Sequence, residues 1–170
     1  MFVLRELILS DLEAYGKRRR LRSIPYAYFE SLGFRAGFHL RWIEFFWNRK
    51  AFFLTNYLKM HLAKTCGLDA IPGFSIGPSF RLDHPVGVVI GKGVLIGSKV
   101  QVGAGVILGQ KYVDPVRKNE KYPRIGNRVY VGANCVLLGE IEIGDGATIG
   151  AGSLVLTSVA CDVTVSGLVK

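Results

Sequence analysis

Two stretches decide the fold: IGKGVLIGSKVQVGAGVIL at residues 90–108 and, after an interruption, IGNRVYVGANCVL at residues 125–137. An aliphatic residue returns at every sixth position, with one step of eight between Leu82 and Ile90. Before the interruption these are Ile76, Leu82, Ile90, Ile96, Val102 and Leu108; after it they are Ile125, Val131, Leu137, Ile143, Ile149 and Val155. Glycine commonly follows, and four residues on comes a second small or apolar side chain, as at Val94, Val100, Val129, Cys135, Ala147 and Ser153. A period of six fits neither an amphipathic helix nor a two-sided strand. It fits a coil of short flat strands joined by tight turns, whose backbone angles call for Gly, Asn or Asp. Stacking such coils buries the aliphatic columns along the inside.

Working outward, Gly67 and Pro72 mark the start of the coil, and a helical region precedes it. Leu4, Leu7, Ile8, Leu12 and Tyr15 share one face of a helix expected over residues 2–17, ended by Gly16. From Tyr26 to Leu62 runs a dense aromatic segment, also read as helical, with apolar residues on more than one face. Its surfaces are expected to pack on each other, on the coil and on neighbouring subunits. A basic, aromatic helix of this kind also suits peripheral contact with an anionic membrane. The expected division is therefore a helical region, residues 1–66, and a β-helix domain, residues 67–170. The interruption at 109–124 (GQKYVDPVRKNEKYPR) is too long to be only a connector, and reads as a functional arm.

Composition narrows the classes. The chain has 170 residues, 49% of them hydrophobic, with mean hydropathy +0.29, which describes a globular protein. No run of about 20 apolar residues is present to span a bilayer, and no basic-then-apolar signal segment opens the chain. Three cysteines without motif spacing (Cys66, Cys135 and Cys161) point to reduced thiols and a cytoplasmic setting. The net charge of +9 is concentrated in KRRRLR at 17–22. No groove-reading motif accompanies it, so nucleic acid is not expected; anionic small molecules or acidic lipid headgroups are.

The segments GLDAIPG at 67–73 and IGPSFRLDHPVGVVIG at 76–91 carry a resemblance. They resemble the serine acetyltransferase branch of the hexapeptide-repeat acyltransferases, and the likeness covers roughly residues 30–160. It implies a left-handed parallel β-helix, acetyl-CoA as co-substrate, and a homotrimer with sites between subunits. It also implies that His84 is the general base and Asp69 its orienting carboxylate. A histidine can take a hydroxyl proton near neutral pH, and a carboxylate on its other nitrogen fixes the tautomer. Asp83 matches an acceptor contact. Gly109, Ala133 and Ala151 match small positions where CoA lies against the backbone, while Arg124, with Arg117, Lys118 and Lys121, is placed to meet its phosphates.

The arm and the N-terminal region depart from that branch. An Arg-His pair that holds the serine carboxylate becomes Lys121-Tyr122, and an acidic segment facing the serine ammonium becomes KRRRLRS. Cations facing an ammonium are unfavourable. The expectation drawn from this is O-acetylation of a sugar hydroxyl on a surface-polysaccharide precursor, nucleotide- or lipid-linked, with Tyr122 against the sugar. Serine O-acetylation is the alternative, and a non-catalytic trimeric scaffold a second one. No metal is expected: only His84 among the three histidines lies in the coil, whereas a zinc hydratase of this fold needs three.

Overall fold

The computed structural model describes residues 2–111 and 121–170; most of the expected arm, including Arg117 and Lys118, lies outside them. Four α-helices precede the strands: α1 (Phe2–Ala14), α2 (Ile24–Glu30), α3 (Leu32–Asn48) and α4 (Phe52–Cys66). Helix α1 buries Leu4, Ile8, Leu9 and Leu12 against Ala27 and Phe34. The Ser31 side chain caps α3 by accepting from the Phe34 amide at 3.2 Å, satisfying a donor that the first helical turn leaves free. Helix α4 ends at Gly67, whose φ of 64° lets the chain turn left-handed into the coil. No helix among the described residues is long and apolar enough to cross a membrane.

From Asp69 onward short parallel strands wind into a triangular left-handed β-helix. Its first face stacks β1 (Asp69–Ala70), β4 (Val89–Ile90), β7 (Ile107–Gly109), β10 (Val136–Leu138), β13 (Leu154–Val155) and β15 (Leu168–Val169). The second stacks β2 (Ser75–Ile76), β5 (Leu95–Ile96), β8 (Arg124–Ile125) and β11 (Glu142–Ile143). The third stacks β3 (Arg81–Leu82), β6 (Gln101–Val102), β9 (Tyr130–Val131), β12 (Thr148–Ile149) and β14 (Thr164–Val165). The hexad aliphatics point inward: Leu82, Val131, Leu137, Ile149 and Val155 have no exposed surface, and neither do Val94, Val106, Cys135 and Ala147 of the second column. A prism this narrow holds only aliphatic or small side chains, which is why the period is legible.

The helices cap the first coil and are fastened to it. A Cβ on Gly33 of α3 would fall 1.9 Å from the Leu82 carbonyl oxygen, so helix and strand backbones meet with no side chain between them. The Tyr15 hydroxyl donates to the Leu82 carbonyl at 2.8 Å and accepts from the Leu82 amide at 2.9 Å. Burial pushes this phenol well above its ordinary pKa, so it stays a neutral donor. Arg41 of α3, fully buried, grips Asp11 of α1 with two hydrogen bonds at 2.8 and 2.9 Å and also donates to the carbonyls of Ile76 and Gly77. Asp11 in turn accepts from the Phe80 amide at 2.9 Å. Removing either ion would strand the other in the interior, at a cost of about 3–5 kcal/mol.

Candidate active site

Corners of the coil stack into edges, and two edges carry the site residues. At the edge joining the third face to the first, each corner donates an amide to the coil before it. The Gly105 amide meets the Val86 carbonyl (3.0 Å), Asn134 that of Ala104 (2.7 Å), and Gly152 that of Ala133 (2.8 Å). Val86, Ala104 and Ala133 therefore stand in one column, with Ala151 the next member, and His84 lies on the same corner two residues before Val86. Asp69 opens the first face beside it: the Asp69 amide donates to Val88 at 3.0 Å, and the Gly87 amide to Gly67 at 2.9 Å. Both His84 and Asp69 are exposed. The structure thus brings them to the same edge, but no hydrogen bond joins them among the described residues. The Asp69 carboxylate instead meets the Lys59 ammonium of α4 at 3.5 Å.

Asp83 sits one residue before His84 and is held on both oxygens. Arg81 Nε donates to Oδ1 at 2.8 Å, and Gln101 Nε2 donates to Oδ2 at 2.6 Å. Nothing in the reading of the sequence singled out Arg81, Gln101 or Lys59. Writing the coils as columns would have exposed the first two, because Arg81 pairs in register with Gln101.

The remaining expected residues lie at the edge between the first and second faces. Gly109 ends β7 there, and Lys121, Tyr122 and Arg124 follow the arm. The Tyr122 ring lies over Gly91 and Gly93, where an added Cβ would meet it at 2.7 and 2.4 Å. Lys121 is ion-paired with Glu140, and that ammonium holds the Glu140 carboxyl below its usual range. With Lys92, Trp47 and Arg124 these residues line a cavity of about 390 Å³. One chain does not bring Lys121, Tyr122, Arg124 or Gly109 to His84: a whole face separates the two edges.

Comparison with known proteins fits this geometry. Residues 122–157 match the family described as bacterial transferase hexapeptide (six repeats), and residues 87–113 match the hexapeptide repeat of succinyl-transferase. A serine acetyltransferase of Buchnera aphidicola subsp. Schizaphis graminum is 34% identical over 165 residues, 95% of this chain and 61% of that protein. The structure of soybean serine acetyltransferase complexed with serine superimposes with a TM-score of 0.84 at 32% identity, covering 96% of this chain and 67% of that one. A serine acetyltransferase in complex with CoA gives 0.79 at 28% identity, covering 97% and 66%. The chain belongs to the hexapeptide-repeat acyltransferases, and these relatives within that family are serine acetyltransferases. It spans about three-fifths of the length of the first curated relatives it matches, 61% and 58%.

These likenesses overturn the expected polysaccharide-precursor acceptor. They run through the helical region as well as the coil, and they are to serine acetyltransferases. The physical premises are also weaker than the sequence suggested. Two of the five cations of the basic run are engaged within the chain, Lys17 with Glu30 at 2.5 Å and Arg19 with Glu6 at 2.6 Å. Tyr122, expected against a sugar ring, is packed on Gly91 and Gly93 instead.

Proposed function

We propose that this protein is an acetyl-CoA-dependent serine O-acetyltransferase. The observation that carries the reading is the single edge that carries Asp83 and His84 on its first corner and the small residues Ala104, Ala133 and Ala151 on the corners that follow, with Asp69 opening the adjacent face. Small corners let a long, thin co-substrate lie close to the backbone. The thioester supplies an activated acetyl group. His84 takes the proton of the serine hydroxyl as its oxygen attacks the thioester carbonyl, then returns that proton to the departing thiolate. Asp69 orients the ring and stabilises the imidazolium while the proton is held; for this its carboxylate, which meets Lys59 here, must also reach the His84 ring. Among the described residues no group of three or more metal-ligating side chains is present.

The same reading includes a homotrimer. A threefold arrangement sets the arm edge of one chain beside the His84 edge of the next, uniting Gly109, Lys121 and Arg124 with Ala133, Ala151 and the base. The three thiols form no disulfide, which suits a reducing, cytoplasmic compartment. Peripheral membrane contact is not part of this reading. The deciding assay follows free thiol in a mixture of the protein, acetyl-CoA and L-serine. Saturable, serine-dependent thiol release is expected; release at the same rate without serine would end the proposal.

A further inference from the structure

The site contains a cation that the sequence reading did not use. Strand β3 turns Arg81 outward, Leu82 inward, and the chain continues to Asp83 on the outer side. The Arg81 guanidinium donates through Nε to Asp83 (2.8 Å) and through Nη1 to the Ala14 carbonyl at the end of α1 (3.1 Å). It also lies 5.5 Å from the centre of the Tyr15 ring. These contacts fix its position, yet Nη2 has no partner among the described residues and the side chain is 41% exposed. Arg81 and Gln101 border an open cavity of about 330 Å³ that Glu13, Ser79 and Lys99 also line, while Asp83 and His84 lie outside its lining.

We infer that Arg81 determines acceptor specificity, binding the acceptor's carboxylate while Asp83 beside it takes the ammonium. The inference rests on the serine reading. In serine the carboxylate and ammonium share one carbon and the hydroxyl is one carbon away. The groups recognising them must therefore be contiguous, and Arg81, Asp83 and His84 are. Two other cations near these edges are engaged, Lys59 with Asp69 and Lys121 with Glu140. A fixed guanidinium with an open N–H edge is well matched to a planar carboxylate. Because Arg81 and Asp83 already form a neutral pair, a zwitterion replaces like with like, whereas an acceptor with only one of the two charges leaves the other partner unbalanced.

The test compares L-serine with ethanolamine, which keeps the ammonium and hydroxyl but lacks the carboxylate. Arg81→Met should raise KM for serine about tenfold to a hundredfold, the range for one charge-assisted contact. The preference for serine over ethanolamine should fall by a similar factor. Arg81→Gln retains a donor toward Asp83 without the charge, and should lose the same preference; it stands in if the methionine variant folds poorly. Equal losses on both acceptors would mean that Arg81 only braces Asp83 and would overturn the inference, as would an unchanged serine KM in both variants. Failure of the unsubstituted protein to acetylate serine would instead strike the functional proposal, independently of either variant.

Discussion

His84 stands on a corner, where its ring can reach both solvent and the neighbouring face, and its backbone is anchored two residues earlier at Leu82. Replacing it with alanine should lower kcat by roughly 10²–10⁴ if it serves as general base, with the melting temperature unchanged because the side chain is exposed. Turnover and a thermal melt on the same sample check both halves. Gly33→Ala makes the opposite demand. Its Cβ would meet the Leu82 carbonyl carbon and oxygen, both backbone atoms, so the helix must lift from the coil. Overpacking of this kind costs about 3 kcal/mol, which in a chain of this length lowers the melting temperature by roughly 6–12 °C. An unchanged melt would mean that α3 is not seated as described. At this scale the sequence was only partly informative. The family motif led to His84 and Asp69, but Lys59, ten residues before Asp69 on another element, carries no signal until α4 is laid against β1.

Among the elements, α2, α3 and α4 meet around His39. Its Nδ1 lies 2.8 Å from the Arg35 carbonyl, its Nε2 3.4 Å from the Tyr28 hydroxyl, and its ring 5.1 Å from that of His61. Tyr57 stacks on His61 from α4, and the Arg35 guanidinium lies over the Tyr28 ring. Burial foremost, then the neighbouring His61 and Arg35, hold the His39 pKa below its ordinary value of 6.5. The folded state therefore prefers neutral His39. Its contribution to stability is complete above about pH 6.5 and is lost as pH falls through the depressed folded value. Thermal melts from pH 7.5 downward should show a loss that His39→Gln reduces; parallel curves for both proteins would contradict it. The helices themselves were legible from aromatic spacing. Their breaks at Ser31 and at residues 49–51 were not, because caps and turns there follow from how the helices pack on the coil. Nor was the Asp11–Arg41 pair, since an acid on the buried side of α1 makes sense only once α3 supplies its partner.

For the whole molecule, the repeat was readable because the prism leaves no choice at its inward positions, while the acceptor was misread because two local departures, Lys121-Tyr122 and the basic run, were weighed above a likeness spanning 95% of the chain. The proposed trimer predicts a mass three times the 18.7 kDa chain in light scattering, and specific activity that falls once dilution separates the subunits. Full activity from a monomeric peak would remove the shared site. The regular register has one more consequence. Val136 pairs with Leu154 exactly three hexads later, and Leu137 with Val155. Duplicating such a turn in tandem should lengthen the spiral while every later side chain keeps its orientation. A single inserted residue within a strand would turn the following column inside out. Growth by whole turns, or by loops that leave and rejoin at a corner, is thus the route open to this architecture.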